Sequence, residues 1–315
     1  MKIAILRDFV PPEQENLDEL DNLNEANFTQ KCLSQQHKVV QIPFVSDIAK
    51  VMKEIHRQKP DIVFNLVESV CKSDALSIIA VQMLETIGIP YTGNGIYAQI
   101  ISANKWLAKQ IMLEKKIPTP SGRFSRSKEF ILKARYEHSS IGLDDSCIMQ
   151  FSSEKQMNET LAKRAKERGL EWIAEEYIDG REFNCAFIGP YILPPAEIRF
   201  SKEFKGHKIL TYEAKWHEET EAYQQSLRNF DIEKEISNEI SCITELCRKQ
   251  LQLSGYARVD FRMNKNGKLF VIDINTNPCI SPDAGFIAMV HKFGLSDEEA
   301  FEIILKEAIN KYQYK

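Results

Sequence analysis

The segment with the most chemical character lies at residues 255–278, which read GYARVDFRMNKNGKLFVIDINTNP. The dipeptide Asn266-Gly267 is the strongest short-range signal for a two-residue hairpin turn. A turn at this point predicts two antiparallel strands and fixes their register. Three cross-strand pairs are then expected: Lys265 with Lys268, Asp260 with Asp273, and Arg258 with Asn275.

Side chains alternate between the two faces of a strand, so this hairpin should have one apolar and one polar face. The apolar face is expected to hold Val259, Phe261, Met263, Phe270, Ile272 and Ile274. The polar face would hold Arg258, Asp260, Asp273 and Asn275. Directly opposed like charges destabilise a sheet, so the two facing aspartates need a compensating cation. Two carboxylates and an amide oxygen are ligands that suit Mg²⁺. An amphipathic hairpin with a solvated polar face explains the same spacing equally well.

The composition is that of a globular protein: 315 residues, of which 43% are hydrophobic and 27% charged. The formal net charge is −4 without a sustained basic run, which argues against a nucleic-acid-binding surface. No apolar stretch reaches the roughly 18 residues of a membrane-spanning helix, so no membrane association is expected. The seven cysteines form an odd set without CxxC spacing, and this favours a reduced, cytoplasmic enzyme.

The N-terminal part of the chain alternates between strand and helix patterns. Apolar runs at 2–6, 39–44 and 61–67 predict strands, and apolar residues at helical spacing follow the second and third. Such alternation is typical of an α/β domain on a parallel sheet, in which ligands bind beyond the carboxyl ends of the strands. Those ends are Arg7-Asp8 and Val67-Glu68-Ser69.

The remainder of the chain predicts a different organisation. A turn cluster at 90–95 precedes a helix that should end before Pro118, and strand-like segments at 130–134 and 146–151 flank a polar loop at 136–145. Strands resume at Trp172. The expected later elements are a charged loop at 201–223, a long helix at 235–253, the hairpin, and a terminal helix at 297–312.

Several of these segments resemble a known family. RVDFR followed by DINTNP resembles the Mg²⁺-binding hairpin of D-alanine–D-alanine ligase-like ATP-grasp enzymes. Further segments match in the family's order: FNLVES (64–69), IPYTGNG (89–95), NKWLAK (104–109), KIPTP (116–120), EHSSIG (137–142), EEYIDGREFN (175–184) and YEAKW (212–216). The resemblance implies an α/β (α+β) ATP-grasp fold. Its expected parts are a Rossmann-like domain at 1–93 and two α+β subdomains, at 94–176 and 177–315, that sandwich ATP.

The resemblance also implies a reaction and roles for individual residues. ATP would phosphorylate a carboxylate, and an amine would attack the resulting acylphosphate. The ligands of two Mg²⁺ ions, or of Mn²⁺ in their place, match Asp260, Asp273 and Asn275. Lysines along the triphosphate match Lys105, Lys133 and Lys215. Residues that hold adenine and ribose match Glu175, Glu176, Tyr177, Ile178 and Glu182. Ser139 and Ser140 fall in the flexible loop that closes over the phosphates. Arg258 matches the arginine that stabilises the oxyanion, and Cys279 lies where a backbone amide assists that arginine.

The sequence departs from the family where the substrates should bind. The N-terminal glutamate motif is absent from 7–13, and Glu68 stands where His is common. Trp216 replaces a tyrosine, and the segment 281–285 has no clear counterpart of a substrate-binding serine. These departures favour a related ligase acting on other amino acids or small peptides, with Glu68 as an ammonium contact.

Two other functions remain open from the sequence: a true D-alanine–D-alanine ligase of peptidoglycan synthesis, and a non-catalytic nucleotide-binding regulatory protein. Assembly as a homodimer is a further expectation.

Overall fold

The computed structural model describes residues 1–11, 17–137, 142–201, 204, 206–210 and 226–313. For 17–19 and 226 only the backbone is described. No helix within these ranges is long and apolar enough to cross a membrane.

The first sheet is parallel and has the strand order β2-β1-β3. Its strands are β1 (Lys2–Asp8), β2 (Lys38–Phe44) and β3 (Ile62–Asn65). Three helices accompany them: α1 (Leu17–Leu33), α2 (Ile48–Gln58) and α3 (Ile78–Ile87). The predicted strands and the α/β alternation are confirmed, whereas α1 was not predicted. Asp8 ends β1 and Glu68 follows β3, so both lie at the carboxyl edge of the sheet.

The second sheet is antiparallel, with the order β5-β4-β6. Its strands are β4 (Glu129–Ala134), β5 (Ile148–Gln150) and β6 (Trp172–Glu176). The helix predicted before Pro118 is two helices, α4 (Ile96–Ser102) and α5 (Lys105–Glu114), and α6 (Glu154–Arg168) connects β5 to β6. The break has a local cause, because the Asn104 side chain accepts the Leu107 N–H and caps a new helix.

The third sheet is the largest, with the order β10-β9-β7-β11-β12 and β8 beside β7. Its strands are β7 (Gly180–Ile188), β8 (Tyr191–Ile192), β9 (Ala196–Phe200), β10 (Ser226–Asn229), β11 (Tyr256–Asn264) and β12 (Leu269–Asn275). The later helices are α7 (Lys234–Gln250), α8 (Gly285–Phe293) and α9 (Asp297–Gln313). The face of β7 and β11 that bears Phe183, Phe187 and Phe261 is fully buried in a cluster with α7.

The β11–β12 turn differs from the prediction. Asn264 N–H donates to Lys268 O at 3.0 Å and Gly267 N–H to Asn264 O at 2.9 Å, which leaves a three-residue loop at 265–267. Gly267 has φ +80°, the left-handed conformation that the last residue of such a loop requires. The expected pairing of Lys265 with Lys268 is therefore wrong.

A bulge at Ile272 compensates for the longer loop. The register shifts between Asp260 and Phe261, and beyond it Asp260 faces Asp273 and Arg258 faces Asn275, as predicted. Between the loop and the bulge every residue of β12 is displaced by one position. Leu269 and Val271 are therefore buried in the core, and the predicted core positions Phe270 and Ile272 are wrong.

Asn94, from the predicted turn cluster, holds the open end of this hairpin together. Its Nδ2 donates to Tyr256 O at 2.7 Å and to Thr276 O at 2.8 Å, and its Oδ1 accepts the Ser254 N–H at 2.7 Å. Both strands are thereby fixed close to Arg258 and Asn275, two of the predicted site residues.

Candidate active site

Three lysines and one glutamate meet between α5 and the second sheet. Lys105 and Lys109 lie one helical turn apart and share a face of α5. Lys133 on β4 and Glu175 on β6 share a face of the sheet. Glu175, only 1% exposed, forms two ion pairs: its Oε1 lies 2.7 Å from Lys133 Nζ and its Oε2 lies 2.5 Å from Lys109 Nζ.

This network contains two residues that are predicted to bind the nucleotide, Lys133 and Glu175. Lys133 has Glu175 as its single ion-pair partner among the described residues, so its ammonium keeps N–H groups for another acceptor. Burial lowers the pKa of Lys133 to about 8. The Glu175 side chain faces the lysines, so only its backbone is left for the predicted contact with adenine.

Lys105 links the network to the hairpin. Its Nζ donates to the Glu137 carbonyl at 2.5 Å and lies 3.9 Å from Asp273 Oδ2. The first residue of α5 thus reaches both the start of the predicted lid loop and one of the two facing carboxylates.

The polar face of the hairpin carries its own compensating charge. Asp260 accepts from Arg258 Nε at 2.7 Å and Nη2 at 2.9 Å, and from Asn184 Nδ2 at 2.7 Å. Asn275 faces Arg258 and accepts the Asn277 N–H. Repulsion between the facing aspartates is offset by Arg258 on one side and Lys105 on the other.

Three of the residues predicted to bind adenine or ribose contact a buried arginine. Arg262, 4% exposed, donates to Ile178 O at 2.6 Å and to Glu182 Oε2 at 2.9 Å. Its guanidinium lies 5.1 Å from the centre of the Tyr177 ring. Glu176 points outward and pairs with Lys128 at 2.5 Å.

A group of carboxylates lies beyond the first sheet. Asp8 accepts from the backbone N–H groups of Glu68 and Ser69, both at 3.0 Å. Glu25, on α1 and 2% exposed, accepts the Ile280 N–H at 2.7 Å. Burial raises the pKa of Glu25 and of Glu68 well above the usual value for glutamate, and neighbouring carboxylates raise it further. We call Asp8, Asp21, Glu25 and Glu68 the acidic pocket.

The segment after the hairpin closes this pocket. Asp21 accepts from Cys279 Sγ at 3.1 Å and from Ser281 Oγ at 3.0 Å. Burial raises the pKa of the Cys279 thiol well above its usual value, so the thiol stays protonated. Ser281 is 2% exposed. Its hydroxyl is therefore committed to an acid and is not presented to a substrate carboxylate.

The structure brings most predicted site residues together, and sequence reasoning missed others. Ser139, Ser140, Lys215 and Trp216 lie outside the described residues. Of the missed residues, Lys109 could have been found from its spacing of four from Lys105. Arg262, Asn184 and Glu25 gave no such signal, because their partners are distant in sequence.

The comparisons with known proteins agree on one family. The family model described as "D-ala D-ala ligase C-terminus" matches residues 127–306, more than half of the chain. The chain belongs to this family. The D-alanine–D-alanine ligase of Sphingopyxis alaskensis is 27% identical over 290 residues, covering 88% of this chain and 89% of that protein.

Solved structures of D-alanine–D-alanine ligases share the fold. The enzyme of Bacillus anthracis superposes with a TM-score of 0.78 at 20% identity, covering 100% of this chain and 99% of that one. Its complex with ATP gives a TM-score of 0.74 at 18% identity, covering 100% and 98%. The fold is ATP-grasp, and the chain is an ATP-dependent carbon–nitrogen ligase of the D-alanine–D-alanine ligase family.

Proposed function

We propose that this ligase joins the carboxylate of one amino acid or small peptide to the amine of another through an acylphosphate. The observation that carries the proposal is the meeting of Lys105, Lys133 and the facing pair Asp260 and Asp273 in one cleft. Phosphoryl transfer depends on positioning and charge neutralisation, and this arrangement offers both. We also propose domains at 1–93, 94–176 and 177–315.

Lys105 and Lys133 would hold the triphosphate, and Lys215 is proposed to join them. Ser139 and Ser140 would cover it from the lid loop. Adenine would lie against the backbone of 175–178. The ribose hydroxyls would bond to Glu182, whose carboxylate is held by Arg262.

Mg²⁺ fits the donor set of the hairpin. Asp260, Asp273 and Asn275 supply oxygen atoms. Among the described residues, no group of three His, Cys, Asp or Glu side chains is suited to a metal ion. A hard cation bound by two carboxylates and an amide would leave positions for phosphate oxygens, which Mg²⁺ commonly shares. When bound, Mg²⁺ supplies positive charge that neutralises the phosphates.

The remaining residues would act on the acyl group and the amine. Arg258, near the start of β11, would stabilise the oxyanion that forms when the amine attacks. The Cys279 N–H makes no hydrogen bond to a described residue and would serve the same oxyanion. The acidic pocket beside them favours a cation, and Glu68 is the proposed ammonium contact.

D-alanine–D-alanine ligation is the second candidate, and the names of the relatives favour it. Against it stands Ser281, whose hydroxyl is bound to Asp21. The acidic pocket also holds more carboxylates than one ammonium requires. A homodimer and a cytoplasmic location stay predictions.

The test is ADP release from ATP across paired D- and L-amino acids and dipeptides, with Mg²⁺ present. We expect ADP to form quickly only when both a carboxylate and an amine substrate are supplied. Lys133→Met should lower the rate at least about tenfold, since a charge-assisted contact is lost. Lys163→Met, exposed on α6, is the matched control. If no pair stimulates ADP release, the proposed reaction is wrong.

A further inference from the structure

Lys109 is the most deeply buried lysine of the cleft, and it has no role in the proposed reaction. It is 5% exposed and its ammonium meets three protein oxygens. These are Glu175 Oε2 at 2.5 Å, Thr119 Oγ1 at 3.3 Å and the Ile272 carbonyl at 3.3 Å. A lysine ammonium has three N–H donors. Two N–H groups donate to Thr119 and Ile272, and the Glu175 carboxylate pairs with the charge, so the ammonium is directed at protein oxygens.

The three acceptors belong to different parts of the molecule. Glu175 lies on β6 of the second sheet and also holds Lys133. Ile272 is the bulged residue of β12 and directly precedes Asp273. The bulge frees its carbonyl from regular strand pairing, and that carbonyl is the one that Lys109 binds.

Thr119 strengthens the same connection. Its hydroxyl donates to Val271 O at 2.8 Å, and Val271 N–H donates to Pro118 O at 2.7 Å. The segment before β4 is thus attached to β12 next to the bulge, with the ammonium of Lys109 between them.

We propose that Lys109 is a positioning residue that fixes Lys133 and Asp273 relative to each other without touching ATP. The inference rests on the proposed function, in which Lys133 holds phosphate and Asp273 holds the metal ion. Removing Lys109 leaves Lys133 and Asp273 present but no longer holds them at fixed positions relative to each other. Displacements of about 1 Å in such groups reduce turnover by roughly a hundredfold.

The first measurement is ATP affinity by calorimetry, with and without Mg²⁺. For Lys109→Met we expect a Kd for Mg²⁺-free ATP within about threefold of wild type, because no contact to ATP is lost. The gain in ATP affinity on adding Mg²⁺ should fall at least about tenfold, as for a perturbed metal-ligand shell. Lys133→Met should instead weaken Mg²⁺-free ATP binding. No second substrate is needed, so the outcome does not depend on which bond the ligase forms.

The second measurement is turnover with the best substrate pair. Lys109→Met should lower kcat at least about tenfold and leave KM for ATP nearly unchanged. Lys115→Met, exposed at the end of the same helix, should leave both unchanged.

If Lys109→Met does not fold, Thr119→Val still severs the connection to Val271 and leaves both ion pairs intact. It should then reduce the Mg²⁺-dependent gain in ATP affinity. Wild-type kcat and a wild-type Mg²⁺ gain in the folded variant would overturn the proposal. Mg²⁺-free ATP binding weakened tenfold in Lys109→Met would also overturn it, because Lys109 would then contact the nucleotide.

Discussion

Replacing Asp260 with Asn should abolish turnover and also destabilise the Mg²⁺-free protein. The two effects have different causes. For turnover, Asp260 is a proposed metal ligand, and loss of metal-derived charge stabilisation is worth several kcal/mol. That corresponds to at least about a hundredfold in kcat.

The stability effect follows from the Asp260 partners. The carboxylate accepts two hydrogen bonds from Arg258, at 2.7 and 2.9 Å, and one from Asn184. An asparagine offers one acceptor oxygen, and its NH₂ group meets a donor. A lost charge-assisted bond costs about 1.5–3 kcal/mol, whereas relief of the cross-strand repulsion with Asp273 returns about 0.2–1 kcal/mol. The net loss is roughly 1–2 kcal/mol, or a Tm lower by about 2–6 °C.

The assay is a thermal melt in EDTA beside ADP release with Mg²⁺. Asp283→Asn is the matched control, since Asp283 is exposed on the loop that follows the hairpin, and both readings should match wild type. A Tm that rises in Asp260→Asn would show that repulsion from Asp273 outweighs the Arg258 contact. Wild-type turnover in that variant would refute the metal assignment itself.

Three further outcomes are expected. Glu68→Gln should raise KM for one amino substrate about tenfold and leave KM for ATP unchanged; a change confined to ATP would assign Glu68 to the nucleotide. D-alanine alone should be a poor pair in phosphate release beside longer or basic amino acids, and efficient turnover with D-alanine only would restore the cell-wall assignment. Glu25→Gln should raise Tm at pH 8 but not at pH 4.5. The raised pKa of Glu25 stabilises the folded protein at low pH and loses that contribution as pH rises through it; equal Tm shifts at both pH values would contradict this.

The hairpin was predicted correctly at its open end and wrongly near its turn, because the longer loop and the bulge compensate for each other. The Asn266-Gly267 dipeptide located the turn but not its length, since both loop types use Gly in the left-handed conformation. The bulge at Ile272 gives no sequence signal of its own. Because it restores the register, Asp260 still faces Asp273, as predicted, while their role as metal ligands stays a proposal.

Helix α1 was missed for a physical reason. Its buried face includes Asn22, Glu25 and Thr29, so the apolar periodicity that identifies a helix is interrupted. Those polar positions are explained by what they face. Asn22 donates to Leu66 O and accepts the Asp8 N–H, and Glu25 accepts the Ile280 N–H. These contacts join residues that lie 14, 44 and 255 positions apart in the sequence, and no local pattern predicts them.

We propose that the two sides of the cleft bind different reactants. Lys105 and Lys133, the residues proposed to hold the triphosphate, lie on one side, and the acidic pocket of Asp8, Asp21, Glu25 and Glu68 lies on the other. Arg258 and the backbone at Cys279 lie between these sides, at the end of the hairpin. We propose that the phosphorylated acyl group binds beside the lysines and the ammonium beside the acidic pocket, so that they meet at that boundary. The amine must lose a proton before it attacks, and we propose Glu68 as the acceptor, because its raised pKa favours the protonated form.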